Sequence, residues 1–519
     1  MFIDAHEVPE ATVLDTDVCI IGAGAAGITL AHEFIDARFR VSVLESGGLE
    51  HDDASQQLYK GRSVGRKYNE LDACRLRYFG GTTNHWNGWC RPLNAIDFEE
   101  YSWAPYSGWP FGFEDLLPYY YRAQNVCQLG EYGYDNIWLQ NHAGGELLPL
   151  NEGQMVTEVI QIAPTRFGQV YRSIIKAAAN VAIYLNANVT NIETGEMQNE
   201  IARLRVATLN GRKFWITAKY YILAAGGIEN ARLLLVSNET RTAGLGNEND
   251  LVGRFFMDHP EGEVGLFLPV NPGDKRWATY CDEYLGRTST DLLGVLAPRR
   301  FILEQDQILH CTIGLSYVLP DSSKGWNALR ELVHGNNHSA SQIESDLWRI
   351  LSDIEGVVGD GYEILKHGSI APKVFNIKFY GQTTPDPDSR VTLDQERDAL
   401  GLPRVRLDLH LSELARHSTK RTLEIFAGRL GESGLGRVKI AFDDWPVGIK
   451  YGCHHIGTTR MSANPKYGVV DADCRIHGIG NLYVAGSSVF PTSGSANPTL
   501  TIVALALRLA DQIKRCMPG

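Results

Sequence analysis

The segment from Asp17 to Glu45 constrains this chain most. Asp17-Val18-Cys19-Ile20-Ile21 is an apolar run of strand length, followed by Gly22-Ala23-Gly24-Ala25-Ala26-Gly27 and then by Ile28–Ala37 with helical spacing. Arg40–Glu45 reads as a second strand that ends in an acid, 18 residues after Gly27. A lone GxGxxG says little, but strand, glycines, helix, strand and acid in this order predict a βαβ dinucleotide-binding unit. The glycines let the backbone approach a pyrophosphate at the positive end of the helix. Glu45 can accept both hydroxyls of an adenosine ribose and would repel a 2′-phosphate. The unit alone admits NAD or FAD. Its place near the N-terminus, the acid-then-glycine run ESGGLE, and a second Gly-rich element, Tyr78–Gly88 (YFGGTTNHWNG), favour a flavin.

Composition narrows the remainder. The chain has 519 residues, which predicts more than one domain, and apolar and charged fractions of 44% and 21%, ordinary for a globular protein. A net charge of −12 makes a nucleic-acid partner unfavourable. The acidic start MFIDAHEVPEATVLDTD has no basic or apolar targeting pattern, and no run of ~20 apolar residues occurs, so the expected place is the cytoplasm with no membrane contact. Nine scattered cysteines without a CxxC read as reduced thiols. No grouped His, Cys and Asp stand at metal-ligand spacing, so no metal is expected.

Along the chain, 164–182 reads as helix, and 183–185, 189–192 and 201–207 as strands. Tyr220–Gly227 reads as a strand into a turn, followed by a helix, IENARLLLV, that returns the chain to the dinucleotide sheet. From 262 to 440 the alternation is strand-like, interrupted by a polar stretch at 320–370 that resembles an insertion or lid. The expected fold is therefore a Rossmann-like α/β domain (1–95, 186–262 and 441–519) interleaved with an α+β substrate domain on a mostly antiparallel sheet (96–185 and 263–440).

The C-terminal block carries Tyr451-Gly452-Cys453-His454-His455-Ile456-Gly457-Thr458-Thr459-Arg460-Met461, then Gly468–Asp471, Asn481–Ser488 and Gly494-Ser495-Ala496-Asn497-Pro498-Thr499-Leu500-Thr501. Together with the N-terminal motifs and the 220–260 stretch, these blocks resemble the glucose–methanol–choline (GMC) oxidoreductases, FAD enzymes that oxidise alcohols. GGTTNHW and GSANPTLT look most like the pyranose oxidase and bacterial glycoside 3-oxidase branch.

The resemblance implies a catalytic His at the first position of HxxGT. His454 meets that spacing and His455 misses it by one, so His454 is expected as base and His455 as a packed residue. The second member of the pair falls on Asn497. The implied reaction moves hydride from an alcohol C–H to flavin N5 while His454 takes the hydroxyl proton; imidazole titrates near neutrality and suits that role. Asn497 donates a hydrogen bond to the developing alkoxide.

The implied cofactor site comprises Gly22, Gly24, Ala25, Ala26, Gly27, Glu45 and Ser46 from the first unit. It adds Gly81, Thr82, Asn84, His85 and Trp86 from the second, Val189 and Ala225 from the middle, and Gly486, Ser487, Asn497, Pro498 and Thr499 from the end. A covalent bond from His85 to the flavin is the less favoured alternative, because Asn87 departs from the Thr of the fungal pattern. Gln382, with His454 and Asn497, is expected at the substrate. The substrate implied is a pyranose or glucoside oxidised at a secondary ring hydroxyl, with oxygen or another acceptor taking the electrons. The alternatives are an FAD dehydrogenase of fructose, gluconate or another polyol, a nicotinamide-dependent dehydrogenase, and a noncatalytic flavin-binding module. Regiochemistry and oligomeric state stay open.

Overall fold

The computed structural model describes all residues except 144–146, 151–152, 282–291, 319–327, 330, 333–339, 355–356, 358–373, 443–444, 446–447 and 518–519. Its organising layer is a six-stranded parallel sheet. The strand order is Phe2–Asp4, Val181–Leu185, Val41–Leu44, Val18–Ile21, Tyr220–Leu223 and Leu482–Val484. Every residue of Val18–Ile21 and Val41–Leu44 is buried, as expected of strands covered on both faces. Helices Ala25–Glu33 and Thr499–Cys516 pack together, and Phe113–Val126 packs on the latter. The buried face of Thr499–Cys516 includes Leu500, Val503, Leu507 and Ile513, each worth ~1.5–3 kcal/mol by burial.

The chain leaves Val18–Ile21 toward Val41–Leu44 on one side and reaches Tyr220–Leu223 on the other. The carboxyl end of such a strand opens a crevice, and Gly22 begins there.

A second sheet of eight strands is antiparallel. Its main path runs Gly436–Ile440, Pro260–Pro269, Val374–Gly381, Cys311–Val318, Leu292–Pro298, Met155–Ile162 and Trp89–Cys90, and Lys450–Tyr451 also pairs with Pro260–Pro269. Helix Glu413–Glu432 covers it, burying Leu423, Phe426 and Leu430 with Phe267, Phe375 and Phe379.

Two sequence readings change. The helix expected over 164–182 is two short pieces, Phe167–Val170 and Arg172–Ala177. Asn180 then donates to the carbonyls of Phe34, Ala37 and Phe39 at 2.8, 3.2 and 3.1 Å, and this anchor turns the chain into strand Val181–Leu185. That strand belongs to the parallel sheet, so the first unit reaches back beyond the boundary expected at 186. Most of the 320–370 insertion lies outside the described residues; helix Ala340–Ser352 is described. Among the described residues, no helix is long and apolar enough to cross a membrane, and no group of His, Cys, Asp and Glu is placed to hold a metal. No disulfide joins any two of the cysteines, all of which are described.

Candidate active site

A cavity of about 450 Å³ opens at the carboxyl end of the parallel sheet. At one end the fingerprint shapes it through backbone. Gly22 has φ +104°, and a Cβ there would lie 2.6 Å from the Ala224 carbonyl oxygen. Gly27 is packed so closely that a Cβ would sit 1.9 Å from the Gly22 carbonyl oxygen. By contrast, a Cβ on Gly24, Gly226 or Gly486 would meet nothing within 4 Å, and all three line the cavity. These bare backbone surfaces form a cradle for an extended, flat ligand.

Glu45 is buried at the cradle's edge. Its two oxygens accept the Ala23 and Gly47 N–H groups, each at 2.9 Å, which fixes the carboxylate and leaves lone pairs for ribose hydroxyls.

Beside this end lies a buried ionic cluster that sequence reasoning missed. Arg75 donates to Glu229 at 2.8 Å, Arg77 lies 3.6 Å from Glu229, and Arg232 donates to Glu229 at 3.2 Å and to Asp398 at 2.6 Å. Burial would raise the Glu229 carboxyl, but Arg232, Arg75 and Arg77 hold it at about 2. All five residues of the cluster line the cavity; counted with Glu45, its wall carries three Arg and three carboxylates. The open glycine cradle, the fixed acid and the arginines beside it together fit a dinucleotide such as FAD.

At the other end, the antiparallel sheet reaches the cavity. Met257–Glu261 runs antiparallel to Lys450–Ile456: Gly452 N–H donates to His259 O at 3.0 Å, and Met257 and Ile456 exchange bonds at 2.9 and 3.0 Å. This pairing brings His259 against His454, Nδ1 to Nδ1, at 2.8 Å. His259 Nε2 lies 2.9 Å from the Gly494 carbonyl oxygen, and His454 Nε2 lies 3.3 Å from Asn497 Nδ2. Burial, then His259 and His455, push the His454 imidazole well below its usual pKa. Burial pushes His259 down to about 4.

Asp258 is fully buried beneath both histidines. Its Oδ1 accepts the backbone N–H of His259 at 2.6 Å and of His454 at 2.8 Å, and its Oδ2 accepts from the Tyr68 hydroxyl. Burial lifts its carboxyl to about 6. The run Asp258-His259-Pro260 was visible in the sequence without a role; only the strand pairing shows what it faces.

Adjacent His455 points elsewhere. Its Nε2 is 3.5 Å from Cys74 Sγ, and its ring packs against Tyr68 and Phe256.

Most expected site residues share this cavity: Gly22, Gly24, Ala25, Ala26, Glu45, Ser46, Gly81, Thr82, His85, Trp86, Val189, Ala225, His454, Gly486, Ser487, Asn497, Pro498 and Thr499 all line it. Three expected residues are placed off the wall. Gly27 serves helix–strand packing, as above. Asn84 turns away to donate to the Phe79 carbonyl at 3.0 Å. Gln382 is buried behind the site, its Oε1 accepting from the His310 N–H at 3.3 Å.

Residues 385–506 match the family model described as GMC oxidoreductase. The chain is 24% identical to the fructose dehydrogenase large subunit of Gluconobacter japonicus, with 96% of this chain and 98% of the relative covered. It is 35% identical to the C-glycoside 3-oxidase of Microbacterium trichothecenolyticum over 23% of this chain and 24% of the relative. Among solved structures, pyridoxine 4-oxidase from Mesorbium loti superposes with a TM-score of 0.59 at 18% identity, over 97% of this chain and all of that one. Residues 385–506 are thus similar to the GMC oxidoreductases, and the overall fold is similar to that of pyridoxine 4-oxidase.

Proposed function

We propose that this chain oxidises a secondary ring hydroxyl of a pyranose or glycoside to the keto-sugar, with His454 as base and Asn497 as its partner. The observation that supports this best is the pairing of His454 Nε2 and Asn497 Nδ2, 3.3 Å apart in the wall of the dinucleotide cavity. Gly22, Gly24 and Glu45 would hold the adenosine and pyrophosphate end of FAD, and the 81–86 turn, Ser487 and Pro498 would line its remainder. When bound, FAD accepts the two electrons that leave the carbinol carbon.

His454 does the proton work. Its depressed pKa keeps it neutral through the physiological range, so Nε2 can accept the substrate hydroxyl proton. The Asn497 amide can both donate to and accept from a sugar hydroxyl, which suits a ring of several similar groups. An epimer that leaves one such buried partner empty loses ~1–3 kcal/mol, or roughly tenfold in affinity per contact. FAD is held here without a bond at His85: acid precipitation of the holoprotein should leave a colourless pellet, and a yellow one would demonstrate the linkage.

The full-length match to the fructose dehydrogenase large subunit favours a second reading, a sugar or polyol dehydrogenase that delivers electrons to an acceptor other than oxygen. One experiment addresses both. Anaerobic mixing with glucose, its epimers, O- and C-glucosides, fructose and primary alcohols, followed by flavin bleaching, identifies the donor. Reoxidation with oxygen or a dye then identifies the acceptor. Rapid bleaching by primary alcohols with none by any pyranoside would overturn the proposal.

A further inference from the structure

We infer that His259, mounted with His454 on Asp258, is a positioning residue that fixes the tautomer and aim of the base, an assignment that rests on the reading of His454 above. The argument follows the hydrogens. The Gly494 carbonyl can only accept, so His259 Nε2, 2.9 Å away, carries a hydrogen. In neutral imidazole the other nitrogen is then bare, and burial keeps His259 neutral. Its bare Nδ1 faces His454 Nδ1 at 2.8 Å, so His454 must supply the hydrogen of that bond. His454 Nε2 is thereby left with its lone pair directed at Asn497 Nδ2 and the cavity.

All three bonds run one way, from Asn497 N–H to His454, from His454 to His259, and from His259 to Gly494. The chain begins and ends on one segment, 494–497, so the two rings are clamped between positions three residues apart. Asp258 holds the backbone of both histidines with one oxygen, which fixes ring spacing as well as ring state. When His454 Nε2 accepts a proton, its Nδ1–H still donates to His259, and that bond becomes charge-assisted without a second proton transfer. The other titratable groups around the pair are Asp97, which acts on His259, and His455 beside His454.

The test uses holoenzyme labelled with ¹⁵N-histidine, the His454 signals being identified by their loss in His454→Ala. In the wild type, His454 should show a protonated Nδ1 and a bare Nε2. A free neutral histidine side chain prefers the opposite form, so this state has to be imposed. His259→Leu, which removes the acceptor, should shift His454 toward the Nε2–H form and slow flavin reduction ten- to a hundredfold with little change in KM. His259→Asn, whose Oδ1 can replace the accepting Nδ1, should restore both tautomer and rate to within about fivefold.

A wild-type His454 bearing its hydrogen on Nε2 overturns the inference, whether or not the variants fold. So does a His259→Leu enzyme with unchanged tautomer and rate. If the wild type shows the Nδ1–H form but His454→Ala reduces its flavin at nearly the normal rate, the mount stands and the assignment of the base falls.

Discussion

The parallel and antiparallel sheets approach the same cavity by different means. The parallel sheet meets it with backbone: Gly22 and Gly27 allow close approach, and Gly24, Gly226 and Gly486 leave the cradle open. The antiparallel sheet stands behind it with buried charge: His310 lies 3.1 Å from Glu158 and 3.8 Å from Asp97, and Arg91 pairs with Glu158. The first arrangement recognises any ligand with the right outline. The second is specific in placement and costly to disturb, because each group depends on partners that must all be present. The base sits on a seam at the end of the antiparallel sheet, where Met257–Glu261 pairs with Lys450–Ile456.

The seam should give the largest effect. His454→Ala should slow flavin reduction by about a hundredfold or more, the usual scale of general-base catalysis, as measured by anaerobic stopped-flow. His455→Ala should cost less, because its Nε2 faces Cys74 rather than Asn497. The reverse ranking would move the chemistry to the other histidine.

Next come the glycines, which separate shape from fold. Gly27→Ala forces a Cβ against the Gly22 carbonyl oxygen and should destabilise even the apoprotein, by about 1–3 kcal/mol or more. Gly24→Ala meets no protein atom, so the apoprotein should melt as the wild type does while FAD affinity falls. Thermal melts with and without cofactor measure both. Equal damage to the two apoproteins would mean that the cradle is part of the packing rather than a ligand surface.

The same division explains what was legible in the sequence. Val18–Ile21, the glycines, Val41–Leu44 and Glu45 lie within one short stretch, so local spacing carries their geometry, and Tyr220–Leu223 repeats the pattern of a strand entering a turn. The ring contact of His454 and His259 joins residues 195 apart in the chain, and the contact of His310 with Glu158 joins the start of Cys311–Val318 to Met155–Ile162, across the intervening strand Leu292–Pro298. No period or spacing encodes such pairs; register alone brings them together. Gln382 shows the cost. It was expected at the substrate, but it stands behind the cavity wall, with Oε1 accepting from the His310 N–H and Nε2 buried without a partner among the described residues.

The smallest effect tests the charge network itself. Burial alone would lower the His310 pKa, but Glu158 and then Asp97 outweigh it and hold it at about 9. The folded protein therefore keeps a proton that the unfolded chain, with a histidine pKa near 6.5, gives up. Stability from this site is fully present below about pH 6.5 and is lost as pH rises through about 9. His310→Gln should thus be less stable than the wild type at pH 6.5, with the gap closing toward pH 9.5 by up to about 3 kcal/mol, the equivalent of the shift. Denaturation midpoints of the two proteins across that range measure the gap. A gap constant with pH would show that His310 is neutral in the fold, and that Arg91 and Asn94, whose Nδ2 donates to Glu158 at 2.9 Å, alone satisfy that carboxylate.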